Sequence, residues 1–333
     1  MRNEPNTLSF DSFGFRLRKT YRANVKVIVA FILAIILFLL GAALCSGFAS
    51  LSHVMMILKV SAFLGILTLA QTVVLLAGGE GIDLSVGAIA SVGAVAASVI
   101  INGNNAMIPL ALVVILIIGF ILGLLNGLGI SLLGIPPLVM TLAMSNVISG
   151  GLIIYSNGLA LRGTSSPLLN TLASQSTFGI PNMLFIWLVV IVIAVLALQK
   201  TKFGIILLGV GSSDLTAELN GIHAKRVRCL AYAFSGAISA LAGVCLLGYI
   251  GSPYIDIGTQ YVLPSVAAAV IGGVSLAGGE GNYIGTVGGA IVLTTLTAIL
   301  TTLKMGDGGK QVVFGLVLVI MLALYGRQVK SAE

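Results

Sequence analysis

The amino-acid sequence predicts an all-α polytopic membrane protein of about ten transmembrane helices, some of them short or broken in the core, with both termini cytoplasmic. Three observations carry that expectation. The first is composition: of 333 residues, 58% are hydrophobic and 8% charged, and the mean hydropathy is +1.14. A water-soluble domain of this size needs roughly three times as many charges on its surface. The second is the spacing of the apolar runs, and the third is where the basic residues fall between them.

Roughly 20 apolar residues carry a helix across a bilayer. On that measure the candidate spans are about 25–45, 54–77, 84–101, 107–133, 138–156, 182–199, 227–250, 261–277, 284–303 and 311–326. Residues 1–24 form a polar cytoplasmic tail, and 25–333 form one transmembrane domain with no soluble domain inside it. The first apolar run lacks a small-residue cleavage site, so it reads as a retained span and not as a signal peptide. Two connections are long. Segment 157–181 holds Pro167 among many Ser, Thr and Asn residues and reads as a short external hairpin or helix. Segment 199–226 is basic and reads as a cytoplasmic loop.

Orientation follows from charge. Arg2, Arg16, Arg18, Lys19, Arg22 and Lys26 lie in the tail, Lys200, Lys202, Lys225, Arg226 and Arg228 in the basic loop, and Arg327 and Lys330 at the end. Placing these segments inside leaves only Lys59, Arg162, Lys304 and Lys310 near the opposite face, as the positive-inside bias requires. The net charge of +7 therefore marks loops, not a nucleic-acid surface, because no basic patch is interleaved with aromatics. Cys45, Cys229 and Cys245 lie in or beside apolar runs without CxxC spacing and read as small hydrophobic residues.

The absences narrow the chemistry. No GxxxxGK[ST] occurs; Gly309-Lys310 is followed by Gln311, so the chain carries no phosphate-binding loop. The only histidines, His53 and His223, fall at loops or span ends, which argues against a His-based metal site or an acid–base dyad, and no metal or catalytic residues are assigned. Three carboxylates, Glu80, Asp83 and Glu280, lie near membrane depth, where an ionisable group is costly and a functional candidate by default. Asp83 either caps the third span by accepting from amides from Leu84 onward, or lines a pathway, and the two roles are compatible. Gly78, Gly79, Gly81 and Gly87 surround it and allow close backbone approach, a setting that suits a neutral polyol needing hydrogen bonds but no counter-charge. Trp187 and the tyrosines read as interfacial anchors or, alternatively, as stacking partners for a sugar ring. LAGGEG occurs at Leu76–Gly81 and again at Leu276–Gly281, as a trace of duplication or as two glycine-rich breaks. Ser212–Gly221 reads as a short helix, capped by Ser213 or Asp214 and ended by Gly221, either docking a partner or forming an interfacial turn.

Together these segments resemble the ribose-type permeases of ATP-binding-cassette importers. Gly81-Ile82-Asp83-Leu84-Ser85-Val86-Gly87 is similar to the family's GIDLSVG signature, and Gly123, Asn126-Gly127, Gly134-Ile135-Pro136-Pro137 and Thr141-Leu142 match the next landmarks. Thr201-Lys202-Phe203-Gly204, Gly221-Ile222, Tyr232 and Ser235-Gly236 match its coupling loop and the helix after it. Ile271 through Gly279, with Gly285-Thr286 and Gly289-Ala290, matches its C-terminal signature. The resemblance runs in order from about residue 50 to the end. Departures are Glu80-Gly81 where the family often has Gly-Gly, Gly211-Ser212-Ser213 where it has Gly-Gly-Asn, and Ser149-Gly150 where Arg-Gly is common.

The resemblance implies a bacterial inner-membrane permease subunit that moves a monosaccharide or similar small polyol into the cytoplasm by alternating access. It implies as partners a second permease subunit, identical or paralogous, two ATP-binding-cassette subunits that hold ATP and Mg, and an extracytoplasmic sugar-binding protein. The permease itself needs no cofactor and is not an enzyme on this reading. The translocation path and broken helix are assigned to Gly78, Gly79, Glu80, Gly81, Asp83, Ser85, Gly87 and Asn126, and ATPase coupling to Ser212, Ser213, Asp214, Ala217, Glu218 and Gly221. The C-terminal signature contributes Gly272, Gly273, Ser275, Gly278, Gly279 and Gly285. The rival expectation is an ion-coupled secondary transporter using Glu80 or Asp83; an intramembrane enzyme has too few ionisable groups.

Overall fold

The computed structural model describes residues 8–157, 159 and 161–330; residues 1–7 of the tail lie outside them. Among the described residues, seven helical stretches are long and apolar enough to cross a bilayer. They are Val25–Leu44 of α1 (Leu8–Leu44), α2 (Leu51–Leu76), α4 (Ile108–Ser131) with its leading turn, α5 (Pro137–Ser156), α7 (Asn182–Lys200), α10 (Ala224–Ile250) and α12 (Tyr283–Thr302). Two further expected spans are short: α3 (Val86–Ile101) has 16 residues and α11 (Val262–Ile271) has 10. The last expected span falls on α13 (Asp307–Lys330). The expectation for 261–277 extends past the real end of α11, because Gly272 and Gly273 (φ +89°) turn the chain out of the helix. Helical backbone also begins at Leu8, so the polar segment before the first span is helical from there on and continuous with it.

Burial separates the helices into layers. Along their most apolar windows α10 is 72% and α2 61% buried, against 17% for α5 and for Val25–Leu44. The outer helices keep apolar side chains such as Leu188 and Val192 on their exposed faces, as lipid-facing surfaces do. The inner ones approach through small residues. Gly119, Gly123 and Gly127 of α4 lie one turn apart against the backbones of Gly236, Tyr232 and Cys229 on α10, where a methyl group on any of them would collide. That spacing is the small-residue packing that membrane helices use in place of a hydrophobic driving force.

The helices α2–α5 and α10–α13 repeat one pattern: a long buried helix, an irregular turn, a short buried helix, then two longer ones. The third helix of each set packs on the first helix of the other, α4 on α10 and α12 on α2. The two LAGGEG segments are not equivalent within this repeat. The first follows α2 and the second follows α11, so the echo in sequence is two glycine-rich breaks, not the register of a duplication.

At one end of the bundle, segment 157–181 forms both expected elements, α6 (Pro167–Ser174) and a hairpin of β1 (Ser176–Thr177) with β2 (Ile180–Pro181). Ser166 caps α6 by accepting from Leu169 N–H, and Pro167 occupies its first position, where its missing N–H is harmless. Lys59 fastens α6 by donating to Ser174 O at 3.1 Å while lying over the Tyr249 ring. At the other end the basic segment folds into α8 (Lys202–Ser212) and α9 (Asp214–Leu219).

Candidate functional site

The turn from α2 into α3 is the most elaborate polar feature inside the bundle. Gly78, Gly79 and Glu80 have φ of +72°, +67° and +55°, three left-handed residues in succession that reverse the chain. Glycine takes that region freely, whereas Glu80 carries a strained backbone and points its side chain out at the α9 end. Gly81 is buried against Val74, and Gly87 packs on the backbone of Gly258.

Asp83 is fully buried. Its Oδ1 accepts from Ser85 N–H at 2.9 Å and Ser85 Oγ–H at 2.6 Å, and its Oδ2 accepts from Ser235 Oγ–H at 2.9 Å. Asn126 Nδ2 donates to Ser85 Oγ at 2.8 Å, and Thr141 Oγ1 accepts from Leu84 N–H at 3.1 Å. The Gln71 carboxamide, with its oxygen toward the Asp83 N–H, brackets the Asp83 backbone at 3.1 Å on both sides. Side chains of α2, α4, α5 and α10 thus clamp one short segment. Among the described residues no Lys, Arg or His forms an ion pair with Asp83, so hydrogen bonds alone compensate its lost hydration.

The expected cap differs in detail. Ser85, not Asp83, is the residue preceding α3, and Asp83 reaches only Ser85 N–H, because Thr141 has already taken Leu84 N–H. Asn126 is at the site as expected from the sequence, and Gln71 joins it only in the fold. Thr141 and Ser235 stood only as landmarks of resemblance, since nothing in sequence says that a hydroxyl 152 residues away points at Asp83.

Next to this break the two LAGGEG segments meet. Gly279 N–H donates to Leu76 O at 3.2 Å, and Gly278 (φ +93°) lies directly on Gly78. Gly211, at the end of α8, completes the contact: its Cα is 2.8 Å from the place where a Gly78 side chain would begin. Three segments therefore touch through backbone alone, which only glycine permits. Ser275 closes the second loop by donating its N–H to Glu280 O, and Gly285 packs on Gly272 at the start of α12. Glu280 pairs with Lys26 at 3.6 Å; both are largely exposed and the pair contributes little.

The connection from α8 to α9 hangs below this hub. Ser212 ends α8 and Ser213 caps α9, its Oγ accepting from Thr216 N–H at 3.2 Å, so the segment expected as one helix is a six-residue helix behind a sharp turn. Gly221 (φ +78°) closes it. Ala217 is buried against Val210 and Ala224, while Leu215 and Leu219 are 69% and 79% exposed and Glu218 faces outward beside them. Asp214 binds Arg228 of α10 with both oxygens, at 2.7 and 2.5 Å. Trp187 departs from its expected place at the lipid interface: it is 4% exposed, packs on Gly65 and donates to Tyr283 OH, which donates on to Gly65 O. It locks α7 to α2 and α12 and is no interfacial anchor.

The family model described as "Branched-chain amino acid transport system / permease component" matches residues 53–322. The chain belongs to this permease family. Among curated relatives, the autoinducer 2 import system permease protein LsrC of Escherichia coli O9:H4 (strain HS) is 31% identical over 306 residues, covering 91% of this chain and 88% of the relative. The proteins of the same name from Shigella flexneri and Salmonella paratyphi B are 31% and 30% identical, each covering 91% of this chain and 88% and 87% of their own length. No solved structure matches. This permease is therefore a transport subunit of an ATP-binding-cassette importer and a multi-pass protein of the bacterial inner membrane, not a catalyst.

Proposed function

We propose that this permease moves a monosaccharide or similar small polyol into the cytoplasm by alternating access, powered by two ATP-binding-cassette subunits that hold ATP and Mg. An extracytoplasmic binding protein delivers the cargo, and a second permease, identical or paralogous, completes the path. The chain itself crosses the membrane with ten segments, α3 and α11 being the short ones, and its α9 end faces the cytoplasm. The observation that carries this reading is α9. Two leucines held out into water, on a helix fastened at its cap and along its inner face, make a surface built for a partner groove. The basic residues Lys200, Lys202, Lys225, Arg226 and Arg228 share that end, which supports its cytoplasmic placement.

The face left open by α5 supports the second permease and the neutral cargo. Asn146 is exposed in mid-helix, with Ser145, Ser149, Gly150 and Gly151 beside it. Facing lipid, an amide there has no partner; facing a path or a second subunit, it does. Ion-coupled transport through Asp83 or Glu80 fits less well, since Asp83 is sealed in the core and Glu80 lies at the bundle's end. The glycine-rich breaks then act as the flexible floor beside the path. The importer is tested by reconstituting the permease with its ATPase and binding protein in vesicles. A panel of ribose, xylose and autoinducer 2 should include a cargo taken up only with Mg-ATP; uptake driven by an ion gradient without ATP overturns the reading.

A further inference from the structure

We propose that Arg228 is the positioning residue that carries movement of α9 to the break after α2, an inference that rests on reading α9 as the ATPase docking helix. Its guanidinium is the only described side chain that bonds both elements at once. Two of its nitrogens hold the Asp214 carboxylate at the first position of α9, at 2.7 and 2.5 Å. Its Nε donates to Ala77 O at 3.2 Å, and Ala77 is the residue that ends α2 and opens the left-handed turn. The side chain is 17% exposed, and Gly79 lies so close that a methyl group there would stand 2.9 Å from Nε.

The chemistry of the contact calls for arginine. A planar fork satisfies a carboxylate with two parallel bonds and leaves a third donor, Nε, pointing elsewhere; an ammonium offers a point charge without that division. The carbonyl it meets belongs to the last turn of α2, the negative end of a 26-residue helix, where a cation is favoured. Ala77 O is also adjacent to the glycine hub, whose backbone contacts have no side chain to cushion a shift. Displacement of α9 thus reaches the Gly78 turn by two connections: along the chain through Ser213 and Ser212 to Gly211, which packs on Gly78, and through Arg228. The chain route passes through Ser213, an extended residue between two helices, whereas the arginine ties the two elements directly through hydrogen bonds.

The test uses the full importer complex, with an environment-sensitive fluorophore on Thr216→Cys to report α9 and on Glu80→Cys to report the break. Adding Mg-ATP with vanadate should change both signals in the otherwise unsubstituted permease. In Arg228→Lys, the α9 signal should persist while the response at Glu80 drops at least about fivefold, the lower end of ordinary coupling between sites. The swap Asp214→Arg with Arg228→Asp separates this role from simple fastening of α9. It restores the charge pair but leaves nothing to donate to Ala77 O, so the Glu80 response should stay lost. A full Glu80 response in either variant overturns the role of Arg228 alone. A silent α9 label in the unsubstituted complex overturns the docking reading and this inference with it.

Discussion

Asp83 shows how a single residue does more in the fold than its place in a motif reveals. Its carboxylate accepts three hydrogen bonds in a fully buried site, and no Lys, Arg or His among the described residues pairs with it. Asparagine has nearly the same shape. It keeps one oxygen for Ser85 and turns an NH₂ toward Ser235, whose hydroxyl oxygen accepts. Asp83→Asn should therefore leave the unfolding temperature of the detergent-solubilised permease, and cargo uptake per permease, close to unsubstituted levels. Asp83→Leu strands the Ser85 N–H and the Ser235 hydroxyl, at about 1–3 kcal/mol each. It should lower the unfolding temperature by several degrees and abolish uptake. Equal damage by both variants would show that the charge itself is needed; near-normal behaviour of both would remove Asp83 from the mechanism.

At the scale of elements, the informative helices are the short ones. A helix of 10 or 16 residues is shorter than the roughly 30 Å of hydrocarbon, and α3 and α11 each adjoin an irregular turn whose backbone is satisfied by protein contacts. The six-residue α9 is shorter still and owes its existence to tertiary anchors: the Ser213 cap, the buried Ala217 and Arg228. Its two faces should respond differently to substitution. Leu219→Asp alters only the exposed face, so permease yield and thermal stability should hold while the ATPase no longer co-purifies. Ala217→Arg forces a charge into a buried contact and should loosen α9 itself, read as rapid proteolysis between residues 213 and 222. Retention of the ATPase by Leu219→Asp would show that the exposed leucines are not the docking face.

At the scale of the whole molecule, the two quartets of helices exchange partners across the bundle, so neither half has a core without the other. Their two glycine-rich breaks converge at one end, beside α9, while α6 and the hairpin cover the opposite end. Sidedness is checked with single cysteines at the exposed Ser176 and Glu218, in a chain whose buried Cys45, Cys229 and Cys245 are replaced by alanine. In intact cells with a permeable outer membrane, a membrane-impermeant thiol reagent should label Ser176→Cys from outside and reach Glu218→Cys only after lysis. Outside labelling of both would undo the assignment of α9 to the cytoplasm.

Sequence alone determined that this chain lives in a membrane, roughly where most of its apolar helices lie, and where its glycine-rich breaks fall, but not that α11 stops at Ile271 or that α1 begins at Leu8. Those properties are local: lipid as solvent demands long apolar runs, and helices end where glycine or proline makes continuation unfavourable. The stop at Gly221 is legible for the same reason, and the cap is legible down to Ser213 or Asp214, of which the structure selects Ser213. Only the tertiary structure decided what the breaks touch. Ser235 lies 152 residues from Asp83 and Arg228 lies 151 from Ala77, distances in sequence across which no propensity or spacing rule acts. The same holds for Trp187, which an aromatic at the edge of an apolar run places at the lipid interface until a glycine on α2 opens a slot for it. Contacts made by backbone against backbone, as at Gly78, Gly278 and Gly211, leave a sequence trace only as glycines whose partners the folded chain alone selects.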